Sequence, residues 1–191
     1  MLIDCGPCVL RPWHVNDLES LVRHADDREV WLMLRDRFPH PYTIEAGRVW
    51  LAAASAEDPP TALAIDVGGE AIGGIGVVLG ADVNRHAGEI GYWLGRAWWR
   101  RGLATASVSQ FLPWVAQTFG LARLFAQVFE TNRASMRVLE KCGFQQEGVL
   151  RSHAHKDGRY LDEVVYGIVL DGLRREPTAR QSSDTNPGPV S

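Results

Sequence analysis

The run Arg100-Arg101-Gly102-Leu103-Ala104-Thr105 could hold an anion. The β-prone stretch Glu89-Ile90-Gly91-Tyr92-Trp93-Leu94 precedes it and helix formers follow, so strand, loop and helix are predicted, with Gly102 at the helix start. The first amides of a helix lack intrahelical partners, and the macrodipole adds partial positive charge there. Small Ala104 and Thr105 beside Gly102 would let phosphate oxygens reach the backbone, and Arg100 and Arg101 add charge. The same residues also suit an ordinary strand-to-helix turn with two solvated arginines.

Other runs invite chemistry and fit it less well. Cys5-Gly6-Pro7-Cys8 has thioredoxin-type spacing, but such a site should follow a strand and open a helix, whereas here β-like Val9-Leu10-Arg11 comes next. A reduced pair leading into the first strand is expected instead, with Cys142 packing a helix. His153 and His155 alternate on one predicted strand face, but no third ligand lies nearby, so no metal is expected. Gly73, Gly74 and Gly76 lack dinucleotide-fingerprint spacing and a following helix, and read as bulges or close strand packing.

A chain of 191 residues with 46% hydrophobic content can bury one substantial core. Its formal charge of −3 does not favour binding along a nucleic acid. The amino terminus shows no basic segment followed by an apolar run, and the longest apolar run, Ala71 to Ala81, is glycine-broken and too short for a bilayer. A soluble cytoplasmic protein with a small-molecule or protein partner is expected.

The elements that must position these residues can be read in order. Cys8 to Trp13 is a strand, Asn16 or Asp17 caps a helix to about His24, and a short helix covers Arg28 to Leu34. Prolines make Phe38-Pro39-His40-Pro41-Tyr42 an aromatic loop, with Phe38, His40 and Tyr42 able to line a substrate cleft or simply to pack. Thr43 caps the next helix. Thr61 to Leu79 is a hairpin turning at Gly68-Gly69. The helix from Gly102 to Phe119 contains Pro113, expected to kink it near Ser109, and ends at Gly120. Leu124 to Phe129 is a strand, Arg133 to Cys142 a helix closed by Gly143, and Glu147–Lys156 with Tyr160–Leu170 a hairpin around Asp157-Gly158. Residues 1–173 form the domain and residues 174–191 a disordered tail by composition.

In this order, the Glu89–Leu94 strand, the Arg100–Thr105 loop, Asn132-Arg133-Ala134-Ser135 and Glu140-Lys141-Cys142-Gly143-Phe144 resemble the GNAT superfamily of acetyl-CoA-dependent N-acetyltransferases. Leu10-Arg11-Pro12-Trp13 and Asp162-Glu163-Val164-Val165-Tyr166 narrow the resemblance to the Rim-type branch, which acetylates ribosomal-protein N termini. The resemblance implies an α/β fold: a single GNAT-type domain whose mixed, mostly antiparallel sheet has a splayed central strand pair and flanking helices. Acetyl-CoA would be the donor, its pantetheine pairing with backbone at Trp93 and Leu94 and its pyrophosphate resting on the amides of Arg100, Arg101, Gly102, Leu103, Ala104 and Thr105. Asn132 would touch the arm near the thioester, with Ser135 on the same face. A homodimer is compatible with it.

The chain departs from the family pattern at Trp99 and Arg100, and Leu139 stands where many members carry a tyrosine acid, so a tyrosine acid is not expected. Direct attack requires a neutral amine. An α-amine, with reference pKa of about 7.7 to 8.0, is roughly a tenth neutral at pH 7, whereas lysine near 10.4 is below about one in a thousand. Glu89 is the candidate base through water and Ser135 the candidate on the thiolate side; a branch glutamate near the last hairpin has only His153 and His155 in its region here. The acceptor is expected to be a protein N terminus. A small-molecule amine stays open, with Asp26, Asp27 and Asp36 suited to a polycation, as does a non-catalytic acyl-CoA-binding regulator.

Overall fold

The computed structural model describes residues 1–170. The expected tail, residues 174–191, and the boundary at 173 lie outside the described residues. The chain forms one eight-stranded sheet in the order β1-β2-β3-β4-β5-β6-β8-β7. Its strands are β1 (Ile3–Asp4), β2 (Val9–Pro12), β3 (Ala62–Val67), β4 (Glu70–Leu79), β5 (Ala87–Leu94), β6 (Arg123–Phe129), β7 (Gln145–Lys156) and β8 (Arg159–Val169). One face is covered by α1 (Leu18–Ala25) and α3 (Ile44–Ala54), the other by α4 (Leu103–Phe119) and α5 (Arg133–Lys141); α2 (Arg28–Leu32) follows α1.

Two apolar cores result. Leu10, Ile65, Ile75, Phe111, Leu124 and Leu139 are buried on the α4–α5 side, and Trp13, Leu21, Tyr42 and Leu51 on the α1–α3 side. All neighbouring strands are antiparallel except β5 and β6. Gly73 is a case of close strand packing, because a Cβ there would fall 2.2 Å from the Trp93 carbonyl oxygen.

Several local expectations need correcting. A strand already precedes the cysteine pair, so Cys5-Gly6-Pro7-Cys8 is the turn of the β1–β2 hairpin, where Cys5 N–H donates to the Cys8 carbonyl (2.9 Å). Burial, helped by neighbouring Cys8, pushes the Cys5 thiol up to about 12, which removes the thiolate that dithiol exchange needs. Asp17 takes the N-cap position of α1, as expected, but makes no side-chain cap bond there; the 3-10 turn before it (Val15–Asp17) is capped by His14, whose Nδ1 accepts from Asn16 N–H. Asp17 is inside the fold, accepting Arg11 through both oxygens (2.7 and 2.8 Å) and the His14 N–H (2.8 Å). Other caps follow the sequence: Thr43 accepts the Ala46 N–H at 3.1 Å, and Gly120 and Gly143 close their helices at positive φ. Among the described residues no helix is long and apolar enough to cross a membrane.

Candidate active site

The site begins where β5 and β6 part. Their parallel pairing is limited to Ala87–Arg123, Gly88–Leu124 and Glu89–Phe125, while β5 stays paired with β4 through Leu94 and β6 with β8 through Phe129. The two facing edges beyond Glu89 are left without a strand partner and open into a wedge. Unpaired backbone groups of this kind need a partner from elsewhere, and a ligand that carries amides supplies one.

The loop after β5 closes one end of the wedge. It passes through a short 3-10 turn, Arg96–Trp98, and reaches α4 with Arg100 at φ 62° and Gly102 at φ 77°. Gly102 is therefore held by its backbone angle, since a Cβ there would meet nothing within 4 Å. Arg100 adopts the same left-handed region without being glycine. Trp99, where the family pattern has another residue, pins the loop by donating its indole N–H to the Leu94 carbonyl at 2.8 Å. That bond occupies one of the backbone oxygens expected to face pantetheine. The first intrahelical bond of α4 runs from Ala106 N–H to the Gly102 carbonyl, so the amides of Leu103, Ala104 and Thr105 have no helical acceptor, and no acidic side chain caps them. Arg101 lies over the Trp98 ring at 4.8 Å.

Across the wedge, Asn132 caps α5 by accepting the Ser135 N–H at 3.1 Å. This places Ser135 over β5, where the Tyr92 hydroxyl lies 2.9 Å from its Oγ and donates to its carbonyl at 3.2 Å. Burial raises the Tyr92 hydroxyl well above its ordinary value, which keeps its proton on. Leu139 is fully buried in the core and offers no acid, as its type implies. The tyrosine arrives from β5 instead, on the face shared with Ile90 and Leu94, and alternation along that strand was the signal that could have found it.

Trp93, Leu94, Arg100 to Thr105, Asn132 and Ser135 all line one cleft of about 490 Å³. Val30, Met33 and Leu34 also line it, and Arg133, Arg137 and Lys141 add positive charge from α5; sequence reasoning had not singled these out. A ligand with an amide-bearing arm and a polyanionic end fits this donor set: unpaired strand edges, free helix amides and several cations.

The remaining expected site residues stand elsewhere. Glu89 is on the opposite sheet face from Tyr92, where Arg35 donates to both of its carboxylate oxygens and to Gln127 Oε1 (2.9 Å). Phe38, His40 and Tyr42 do not line the 490 Å³ cleft. Phe38 packs between Tyr42 (4.8 Å) and Trp93 (5.2 Å), Tyr42 is buried, and His40 stacks on Trp31 at 5.6 Å.

The acetyltransferase (GNAT) domain model matches residues 8–145. The chain is 43% identical over 100 residues to the uncharacterized N-acetyltransferase YoaA of Bacillus subtilis, covering 52% of this chain and 56% of that protein. It is 29% identical over 98 residues to the ribosomal protein uS5-alanine N-acetyltransferase of Escherichia coli, covering half of each. The chain thus spans about half the length of these curated relatives. Among solved structures, RimL, a ribosomal α-N-protein acetyltransferase in complex with coenzyme A, superposes with a TM-score of 0.79 at 19% identity, over 90% of this chain and 99% of that one. The splayed strand pair, the uncapped helix start and the match across most of the described residues agree, and the chain belongs to the GNAT acetyltransferase family.

Proposed function

We propose that this protein transfers an acetyl group from acetyl-CoA directly to a primary amine, and that the amine is the α-amine of a protein or peptide N terminus. The observation that carries the reading is the continuity of one cleft from the free amides at Leu103–Thr105 to Ser135 in the mouth of the wedge. Acetyl-CoA would supply the activated acyl group. The helix amides, with Arg100 and Arg101, would hold its pyrophosphate, the wedge its pantetheine, and the Asn132 side-chain amide the arm near the thioester.

Ser135 takes the leaving-group side. With the Tyr92 proton given to the Ser135 carbonyl, the Tyr92 oxygen accepts from the Ser135 hydroxyl, which can turn that proton into the cleft to stabilise a departing thiolate. On the acceptor side, Glu89 can remove a proton only if Arg35 lets go of one of its oxygens. An N-terminal α-amine asks least of such a site, because roughly a tenth of it is already neutral at pH 7, and relatives named for ribosomal-protein N termini support the same choice. A polycationic acceptor is less well served than the sequence alone suggests. Asp27 caps α2, Asp26 accepts the Tyr42 N–H, and Asp36 accepts Lys156 (2.6 Å).

The test is thermal unfolding with saturating acetyl-CoA, ATP or NAD, followed by mass spectrometry of an Ala-Ala-Tyr peptide, L-amino acids and spermidine after incubation. Ligand at 100 times its dissociation constant stabilises by about 2.7 kcal/mol, roughly 5 to 10 °C for this size. A shift with acetyl-CoA alone and one added acetyl on the peptide are expected. No shift would remove the cofactor reading, acetylated spermidine or amino acids with an unmodified peptide would move the acceptor to small molecules, and binding without turnover of any amine would leave an acyl-CoA-binding regulator.

A further inference from the structure

We propose that His153, oriented by Glu163, accepts the proton of the attacking amine; the inference rests on the acetyl-transfer reading. His153 Nδ1 lies 2.6 Å from Glu163 Oε2. The His153 side chain is 56% exposed and that of Glu163 only 6%. A carboxylate accepts and does not donate, so this contact favours the tautomer with hydrogen on Nδ1, which leaves Nε2 as the proton acceptor. Burying a carboxylate against a single half-exposed imidazole is a costly way to brace a sheet, since the desolvated charge gains less from it than from a buried arginine. Backing a proton-accepting imidazole with a buried carboxylate is what general-base chemistry requires.

The backbone places the pair at the β6 end of the wedge, outside the lining of the 490 Å³ cleft itself. Glu163 is the Cα partner of Phe129, and the Phe129 carbonyl accepts the N–H of Asn132, which lines the cleft, at 2.8 Å. Alternation along β6 puts Phe129 on the face of Gln127, the face where Arg35 joins Gln127 to Glu89. A bulge aims His153. Leu150 pairs with Glu163 and Ala154 with Leu161, so β7 advances four residues against two of β8, and Ser152 at φ 49° donates its N–H to Asp162 Oδ1 (2.7 Å). Glu163 is the charged group in contact with the imidazole; Arg151 and His155 stand two residues to either side on its own strand, and Asp162, next to Glu163 on β8, gives its N–H to Glu130 Oε1 (3.2 Å). Meanwhile Glu89, on the same face, accepts Arg35 through both of its oxygens.

In the step this gives, Nε2 takes a proton from the incoming ammonium. Nε2 passes that proton to solvent, and the freed nitrogen lone pair forms the C–N bond to the acetyl carbon; as the C–S bond breaks, the second nitrogen proton leaves to Nε2, and the thiolate, held by the Ser135 hydroxyl, takes a proton from solvent, so one proton is released for each amide formed.

Two readouts test it on the full chain. Imidazole ¹H–¹⁵N spectra of the unliganded protein should show His153 with hydrogen on Nδ1 in the wild type, and lose that preference in Glu163→Gln. Hydrogen on Nε2 in the wild type would overturn the proposal, whether or not an acceptor is known. Thioester loss at saturating acetyl-CoA, with Ala-Ala-Tyr or with water alone, should fall about 100-fold at pH 7 in His153→Gln and less in Glu163→Gln, with the deficit shrinking by pH 9, where an α-amine is mostly neutral. A deficit equal at every pH, or one that shrinks in Glu89→Gln instead, would return the role to a structural brace or to Glu89. Unchanged acetyl-CoA stabilisation in His153→Gln separates this failure from failure of the cofactor reading, and a wild type silent toward peptide and water would refute the transfer reading itself.

Discussion

At the scale of single residues, the cradle is a backbone device and the thiolate side a side-chain one, so they respond to different substitutions. Gly102→Val forces a β-branched residue to φ 77° at a position with open space around it; the loop must rearrange and the amides turn away. Calorimetry should show acetyl-CoA affinity at least 10-fold weaker, while the apo chain loses only about 1 to 2 kcal/mol. Tyr92→Phe leaves the cradle alone and removes the hydroxyl that anchors Ser135 through its carbonyl and Oγ. It should lower kcat about 10-fold, equivalent to roughly 1.4 kcal/mol, without changing acetyl-CoA affinity. The double variant with Ser135→Ala should be no slower than Ser135→Ala alone, because the two hydroxyls form one relay. The cradle was legible because an amide cradle needs glycine and small residues in consecutive positions. The pairs Arg35–Glu89, Lys156–Asp36 and His153–Glu163 join residues far apart in the chain or across a bulge, and nothing in local spacing announces them.

At the scale of elements, α2 and the segment after it form a strap across the sheet. Arg28 pairs with Asp157 (2.6 Å), Lys156 donates to Asp36 (2.6 Å) and lies 3.6 Å from the centre of the Trp31 ring, and Arg35 reaches Glu89 and Gln127. Lys156 is buried even though the tip of a hairpin is usually solvated, because the strap covers it. The strap also brings Val30, Met33 and Leu34 over the cleft. Replacing Arg35 with Met leaves Glu89 without its cation and should cost about 1 kcal/mol, less than a fully buried pair because Arg35 is itself partly solvated. The sharper readout is hydrogen exchange, which should quicken across residues 28–37 in that variant and stay unchanged in α4. The sequence shows α2 as a short amphipathic helix, and the prolines show that a loop follows. That this helix roofs the cleft depends on partners from the last hairpin, more than a hundred residues later.

At the scale of the whole molecule, the order of elements and the helix caps follow from alternation, glycines and capping residues, which is why the fold could be read almost entire. The missed β1 is only Ile3–Asp4, too short to carry a pattern. The N-terminal end of the sheet is tied to α1 by Arg11, which reaches Asp17 and, at 2.8 Å, Asp66. Burial alone would raise the Asp17 carboxyl, but the Arg11 bonds and the His14 N–H outweigh it and hold it below its ordinary value. The folded state thus gains stability that is fully present above the unfolded carboxylate range near pH 4 and is lost as pH falls through the lowered value. The urea midpoint should stay level from pH 8 to 5 and drop below about pH 4; Arg11→Gln should be less stable throughout, by about 3 kcal/mol at pH 7, with a shallower acid limb. The two halves of the sheet meet through only three pairs between β5 and β6. If the thioester donor bridges the rest of that seam, it serves as part of the architecture as well as a reactant, and the lifetime of the chain in a cell becomes tied to metabolic supply. Molecules made while acetyl-CoA is scarce would expose the open seam to proteases and be cleared sooner, so the amount of enzyme would follow the amount of its own donor.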